Sequence, residues 1–170
     1  MDTISKLNRD ILFSVRPKYA SKIIDGQKTI ELRRKFPEHG AGGAMALIYS
    51  SSPVRAIVGY AHIKYVVKLP IAEIWKHYGA AACISKKDFY TYFSGLKFGF
   101  AILFDSVRPF KRPINASDLE AQFGIVPPQS YRYVSGDFVE LLGDERFQAP
   151  DRHQRSDWPR RRPTRSSVSC

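Results

Sequence analysis

SVRPKYASKIIDGQKTIELRR, residues Ser14 to Arg34, carries the punctuation that decides the fold. Reading backwards from it, Ile11 to Arg16 alternates, with Ile11, Phe13 and Val15 on one face and Leu12, Ser14 and Arg16 on the other. That period of two predicts a half-buried first strand. Pro17 suits a first helical turn because its ring presets φ and its missing N–H is not needed there. Tyr19, Ile23 and Ile24 then recur at helical spacing until Gly26, which ends a helix of about two turns. From Lys28 to Arg33 the alternation returns, Ile30 and Leu32 against Thr29, Glu31 and Arg33, and predicts a second strand.

Working outward, Arg34 to Gly43 reads as a loop, and Ala44 to Ser51 has the apolar density of a buried strand. Ser52-Pro53 turns the chain. Arg55 to Val67 is a long strand that Gly59 bends or bulges, as barrels require. Ile71 to Tyr78 is a short helix. Ser85 with Asp88 three residues on resembles a capping box that opens another helix, running through Phe93 and stopped at Ser94-Gly95. Phe98 to Phe104 is a fifth strand, Pro113 breaks the pattern, Ser117 caps a last helix, and Gln129 to Val134 is the final extended piece. Short helices too few to cover a parallel sheet, mixed with strands, predict an α+β fold, a mixed β-barrel with short peripheral helices. A doubly wound fold is disfavoured.

The chain has 170 residues, of which 44% are apolar and 13% aromatic, enough for one domain with its own core. The formal net charge is +11, which favours polyanionic partners. Residues 144–170 hold seven arginines, four acids and almost no aliphatic side chains, and read as a disordered arginine-rich tail. Removing that tail's +3 leaves +8 on residues 1–143, so the domain, residues 10–143 behind a flexible stretch 1–9, is basic in its own right. No apolar run reaches membrane-spanning length and the N-terminus lacks the apolar core of a secretory signal, so a cytoplasmic protein without a membrane partner is expected. Two cysteines and four histidines show no metal-ligand spacing, and neither a metal nor another cofactor is expected.

Strand parity puts Ser14 and Arg16 on one face of the first strand and Glu31 and Arg33 on one face of the second. If those strands are neighbours, the four side chains line one mixed-charge pocket. An isolated Glu-Arg pair is more often an ordinary surface ion pair.

The chain is similar to the ASCH (activating-signal-cointegrator homology) domains of the PUA-like superfamily. Four pieces in order carry the resemblance: Gly26 to Arg33 (GQKTIELR), Tyr49 to Gly59 (YSSSPVRAIVG), Phe93-Ser94-Gly95 leading into Gly99 to Ile102, and Pro127 to Tyr133 (PPQSYRY). They span about residues 10–142 and leave the tail outside. The resemblance implies a β-barrel with a cleft between strands and helices, in a superfamily that recognises RNA or modified bases. It places Lys28 at the mouth of the second strand, where an ammonium meets a phosphate or a base carbonyl. Some small bacterial relatives hydrolyse 4-acetylcytidine with a lysine, a threonine and a glutamate. Lys28 matches the lysine, but Glu31 stands at the threonine position, and residues 79–84, where the glutamate is expected, hold no acid. Ribonuclease activity is also proposed for some members, and Lys28 with Glu31 are the residues that would carry catalysis here.

Further along, Gln129 to Tyr133 offers rings, an arginine and an amide, the mixture that reads unstacked bases. Gln129 and Arg132 are favoured over Tyr131, whose ring equally suits the core. Ser50 and Ser51 present hydroxyls near a turn, a candidate anion cradle, although serines at turns are usually turn formers. Trp75 with Tyr78 and Tyr90 with Phe93 fall at helical spacing and read as core. The expected partner is RNA or another single-stranded nucleic acid, with a modified nucleoside as the narrower form of that reading.

Overall fold

The computed structural model describes residues 10–135 and Phe138; the segments 1–9 and 144–170 lie outside the described residues. The chain runs β1 (Asp10–Val15), α1 (Pro17–Ile24), β2 (Ile30–Arg33), β3 (Met45–Ser50), β4 (Ala56–Pro70), α2 (Ile71–Tyr78), α3 (Lys86–Tyr92), β5 (Phe98–Asn115), α4 (Ala116–Phe123) and β6 (Tyr131–Val134). The strands form one six-stranded mixed sheet in the order β2-β5-β4-β3-β1-β6. Among the described residues only β1 and β3 pair in parallel; the other pairs are antiparallel. The α+β class with short helices stands, and closure of the sheet into the expected barrel is not seen among the described residues. β2 and β6 are both edge strands, and no ladder joins them among the described residues. β1 and β2 are likewise not ladder neighbours, since among the described residues β2 pairs with β5 alone.

Three apolar clusters cover the sheet. Ile11, Phe13 and Val15 of β1 pack with Ile48, Ile63 and Phe104 against Ala20 and Ile23 of α1. Leu12 points the other way, into Leu47, Ile57, Leu119 and Val134. β1 is therefore buried on both faces rather than one, because α4 covers the side that alternation alone would leave wet. Beyond β5, Ile30 and Leu32 of β2 join Ile74, Phe89 and Phe93 of α2 and α3. Trp75 and Tyr78 pack on this cluster as the helical stripe predicts, whereas Tyr90 stays 42% exposed.

Local chemistry explains most boundaries. Arg16, preceding Pro17, is extended (φ −61°, ψ 143°), as the proline ring demands of its predecessor. Gly26 takes φ +75°, and the Gln27 and Lys28 N–H groups both return to the Lys22 carbonyl at 2.9 Å, turning the chain from α1 into β2. Ser85 caps α3 by accepting from the Asp88 N–H. The cap of α4 is Asn115, which accepts from Asp118 N–H at 2.9 Å, while the Ser117 hydroxyl only donates to the Asn115 side chain at 2.6 Å. The ladder shifts register between Ile57 and Gly59, and a Cβ at Gly59 would stand 2.4 Å from the Arg108 carbonyl oxygen. Pro113 does not end β5, which continues to Asn115. Beyond Phe104, whose N–H donates to the Thr29 carbonyl at 3.0 Å, that strand has β4 as its only ladder partner among the described residues, so Pro109 and Pro113 lie where one edge asks for no donor.

Candidate functional site

Among the described residues only four polar or charged side chains are buried: Lys28, Glu31, Arg33 and Ser50. Three of them form one row. Buried charge is rare and must be paired, so this row marks where the fold accepts a cost that most of its surface avoids. β2 places Glu31 and Arg33 two residues apart on one face, and the Gly26 turn delivers Lys28 beneath them. Glu31 Oε1 accepts from Arg33 Nη2 at 2.9 Å, and its Oε2 lies 3.5 Å from Lys28 Nζ.

Each cation is also tied to backbone. Lys28 Nζ donates to the carbonyls of Ile30 and Ala82, both at 2.7 Å, so with Glu31 all three of its protons are engaged. Burial lowers the Lys28 pKa from its ordinary value, with the Glu31 carboxylate opposing that shift. Arg33 Nη2 reaches the Ser14 carbonyl at 3.0 Å, and Nη1 reaches both the carbonyl and the hydroxyl of Ser130 at 3.2 Å. The guanidinium lies 5.0 Å from the Phe13 ring centroid, and its Nε is buried with no hydrogen-bond partner among the described residues. One side chain thus spans the space between β2 and the β1 and β6 side of the sheet, where a ladder would close a barrel.

Above this row lies a cleft of about 690 Å³, within the usual range of ligand clefts, roughly 300–1,000 Å³. The turn from β1 into α1 forms one wall, with Ser14, Arg16, Lys18 and Tyr19; α3 forms the opposite wall, with Asp88, Thr91 and Tyr92. Ser51, Gln129 and Ser130 complete the rim. Tyr92 donates its hydroxyl to the Leu32 carbonyl at 3.3 Å, and burial raises its pKa. Arg16 and Lys18 are exposed, so the rim carries two solvated cations above a row of internally paired charges. Among the described residues there is no group of three or more His, Cys, Asp or Glu side chains placed to hold a metal ion. No helix of the described residues is long and apolar enough to cross a membrane.

The family described as "Domain of unknown function (DUF365)" matches residues 9–123. An "ASCH domain-containing ribonuclease" of Zymomonas mobilis is 32% identical over 135 residues, covering 79% of this chain and 90% of that protein. The chain belongs to the ASCH-domain family. The crystal structure of the ASCH protein from Zymomonas mobilis superposes with a TM-score of 0.74 at 30% identity, covering 79% of this chain and 94% of that one. A large ribosomal subunit protein uL22 of Ureaplasma parvum is 25% identical over 125 residues, which span 73% of this chain and 39% of that protein.

Within the ASCH domain, Ser14, Arg16, Lys28, Glu31, Arg33, Ser51 and Gln129 of the sequence-derived set meet at the cleft. Ser14 and Arg16 face Glu31 and Arg33 across the open gap rather than across a ladder. Lys28 is 3% exposed and lies under the cleft, not at its mouth. Three residues are not brought there. Ser50 is buried in β3, opposite Val15. Tyr131 packs its ring 5.0 Å from Phe36 and 6.3 Å from Phe13 in the core. Arg132 is exposed, with Nη1 3.5 Å from the Val126 carbonyl. Sequence reasoning missed Ser130 and the α3 wall. Tyr92 leaves one faint signal, an aromatic ring off the Phe89 and Phe93 stripe of its helix.

Proposed function

We propose that this ASCH domain binds single-stranded RNA in the cleft between α1, β2 and α3. The observation that carries the reading is the pairing of a fixed floor of ion-paired side chains, Lys28, Glu31 and Arg33, with a solvated basic rim, Arg16 and Lys18. Phosphates are held at a rim where cations release counterions, and bases are read by fixed polar groups deeper in. Two aromatic residues, Tyr19 and Tyr92, line the walls, and recognition of unstacked bases draws on such rings. The +8 carried by residues 1–143 draws the polyanion in.

The test is fluorescence anisotropy with a labelled RNA decamer at several salt concentrations, comparing the full chain with its Arg16→Ala/Lys18→Ala variant. Each lost phosphate contact should flatten the log–log salt dependence by about 0.7 for a single strand, so the double change should flatten it by roughly 1.4. The arginine-rich tail is common to both proteins and cancels. An unchanged slope in the double variant would move binding away from the cleft.

One observation favours a second reading, RNA cleavage: the Zymomonas mobilis relative is named a ribonuclease. Glu31 and Arg33 would then serve as the base near a ribose hydroxyl and the cation near the phosphate. Gel analysis of the same decamer after incubation distinguishes cleavage from binding alone. Hydrolysis of 4-acetylcytidine is not favoured, since the segment 79–84 contributes the Ala82 carbonyl to Lys28 where that chemistry wants an acid.

A further inference from the structure

The floor of the cleft carries more information than its charge. Beside its two cations the floor holds a carboxylate, Glu31, which lines the cleft. A carboxylate offers about four lone-pair directions. Arg33 occupies one at 2.9 Å, and Lys28 stands 3.5 Å from the other oxygen, so acceptor capacity remains on a group whose position is fixed from two sides. Such an acceptor matches a ligand edge with two adjacent N–H donors. Guanine alone among the four RNA bases has that edge, N1–H beside the exocyclic N2 amine. Adenine and cytosine place a ring acceptor next to their amine, and uracil has one N–H between two carbonyls.

A second group fits the same base. The Ser130 hydroxyl oxygen accepts from Arg33 Nη1 at 3.2 Å, which leaves its proton free to donate. Guanine O6 is the acceptor adjoining N1–H. We propose that the cleft selects a guanine extruded from single-stranded RNA, with Glu31 accepting from N1–H and the N2 amine and Ser130 donating to O6. The inference rests on the RNA-binding reading above and names its specificity. Tyr19 and Tyr92, the latter tethered through its hydroxyl, line the cleft walls above this floor.

The experiment measures binding of the full chain to UUUGUUU and to the same heptamer with A, C, U or inosine at the centre. The central guanine should be preferred by about tenfold or more over adenine, as a good bidentate base contact gives. Inosine, which keeps N1–H and O6 but lacks the N2 amine, should fall between them. Glu31→Gln should erase the preference while the rim retains salt-dependent binding, with the variant's fold checked by its thermal melt. If that variant does not fold, the inosine series on the unaltered chain decides. Equal, salt-dependent binding of all five heptamers would overturn guanine selection and leave the RNA reading standing. A preference for adenine, cytosine or uracil would overturn it as well. No binding to any heptamer would remove both.

Discussion

Replacing Lys28 with methionine keeps most of the side-chain volume and removes the ammonium. The Ile30 and Ala82 carbonyls then lose donors at 2.7 Å, and Glu31 keeps Arg33 as its ion partner. Leaving a buried acceptor unpaired costs about 1–3 kcal/mol, and breaking a buried ion pair from one side about 3–5 kcal/mol. Against this stands the desolvation of the ammonium itself, which is what lowers the Lys28 pKa and which the methionine does not suffer. The net loss expected is about 2–4 kcal/mol, out of the 5–15 kcal/mol typical of a domain. At roughly 3 °C per kcal/mol for a domain of this size, the Tm should fall by about 6–12 °C. Thermal melts followed by circular dichroism measure it. Combining Lys28→Met with Glu31→Gln should cost less than the two single changes together, because they share one network. A Lys28→Met protein that melts within a degree of the parent would refute the reasoning and make Lys28 a solvated turn residue.

Three further outcomes follow from the geometry. Gly59→Ala puts a Cβ against the Arg108 carbonyl oxygen at 2.4 Å and against Ile24 at 2.6 Å, and should destabilise the domain by about 1–3 kcal/mol in urea unfolding; an unchanged midpoint would mean the ladder yields there. Burial raises the Asp10 pKa, opposed by the bond from Met45 N–H, so the stability tied to its protonated form is present below about pH 4 and lost as pH rises through the folded value. Asp10→Asn keeps an acceptor for that N–H without the charge; its Tm should exceed the parent's at pH 7, with the gap closing towards pH 3, and a lower Tm at both would refute this. For Lys28 the sign is opposite: the unfolded chain holds the proton more tightly, so this site's contribution rises with pH through its lowered folded pKa, a rise that Lys28→Met should abolish.

The elements that punctuation and short-range periodicity define were legible in the sequence. α1 between Pro17 and Gly26, the Ser85 cap and the Gly59 bulge are set by residues within a few positions of one another. What failed was long-range. Whether β2 meets β6 depends on what fills the gap, and nothing local says that the Arg33 guanidinium spans it. Pro113 reads as a strand breaker until it is known that β5 has one partner at that point. At the cleft, parity put Ser14, Arg16, Glu31 and Arg33 on the right faces, although the strands carrying them are not neighbours. Tyr131 was ambiguous for a physical reason, since a ring that can stack on a base can equally stack on Phe36.

Mapping the bound RNA on the protein tests the central claim most directly. Two-dimensional amide and side-chain NMR spectra of the full chain, titrated with UUUGUUU, should show the largest shifts at Arg16, Tyr19, Glu31, Tyr92 and Ser130, which line the cleft. Residues of α4 and the outer half of β5 should move little. Shifts concentrated there, or confined to the arginine-rich tail with the cleft silent, would contradict the account.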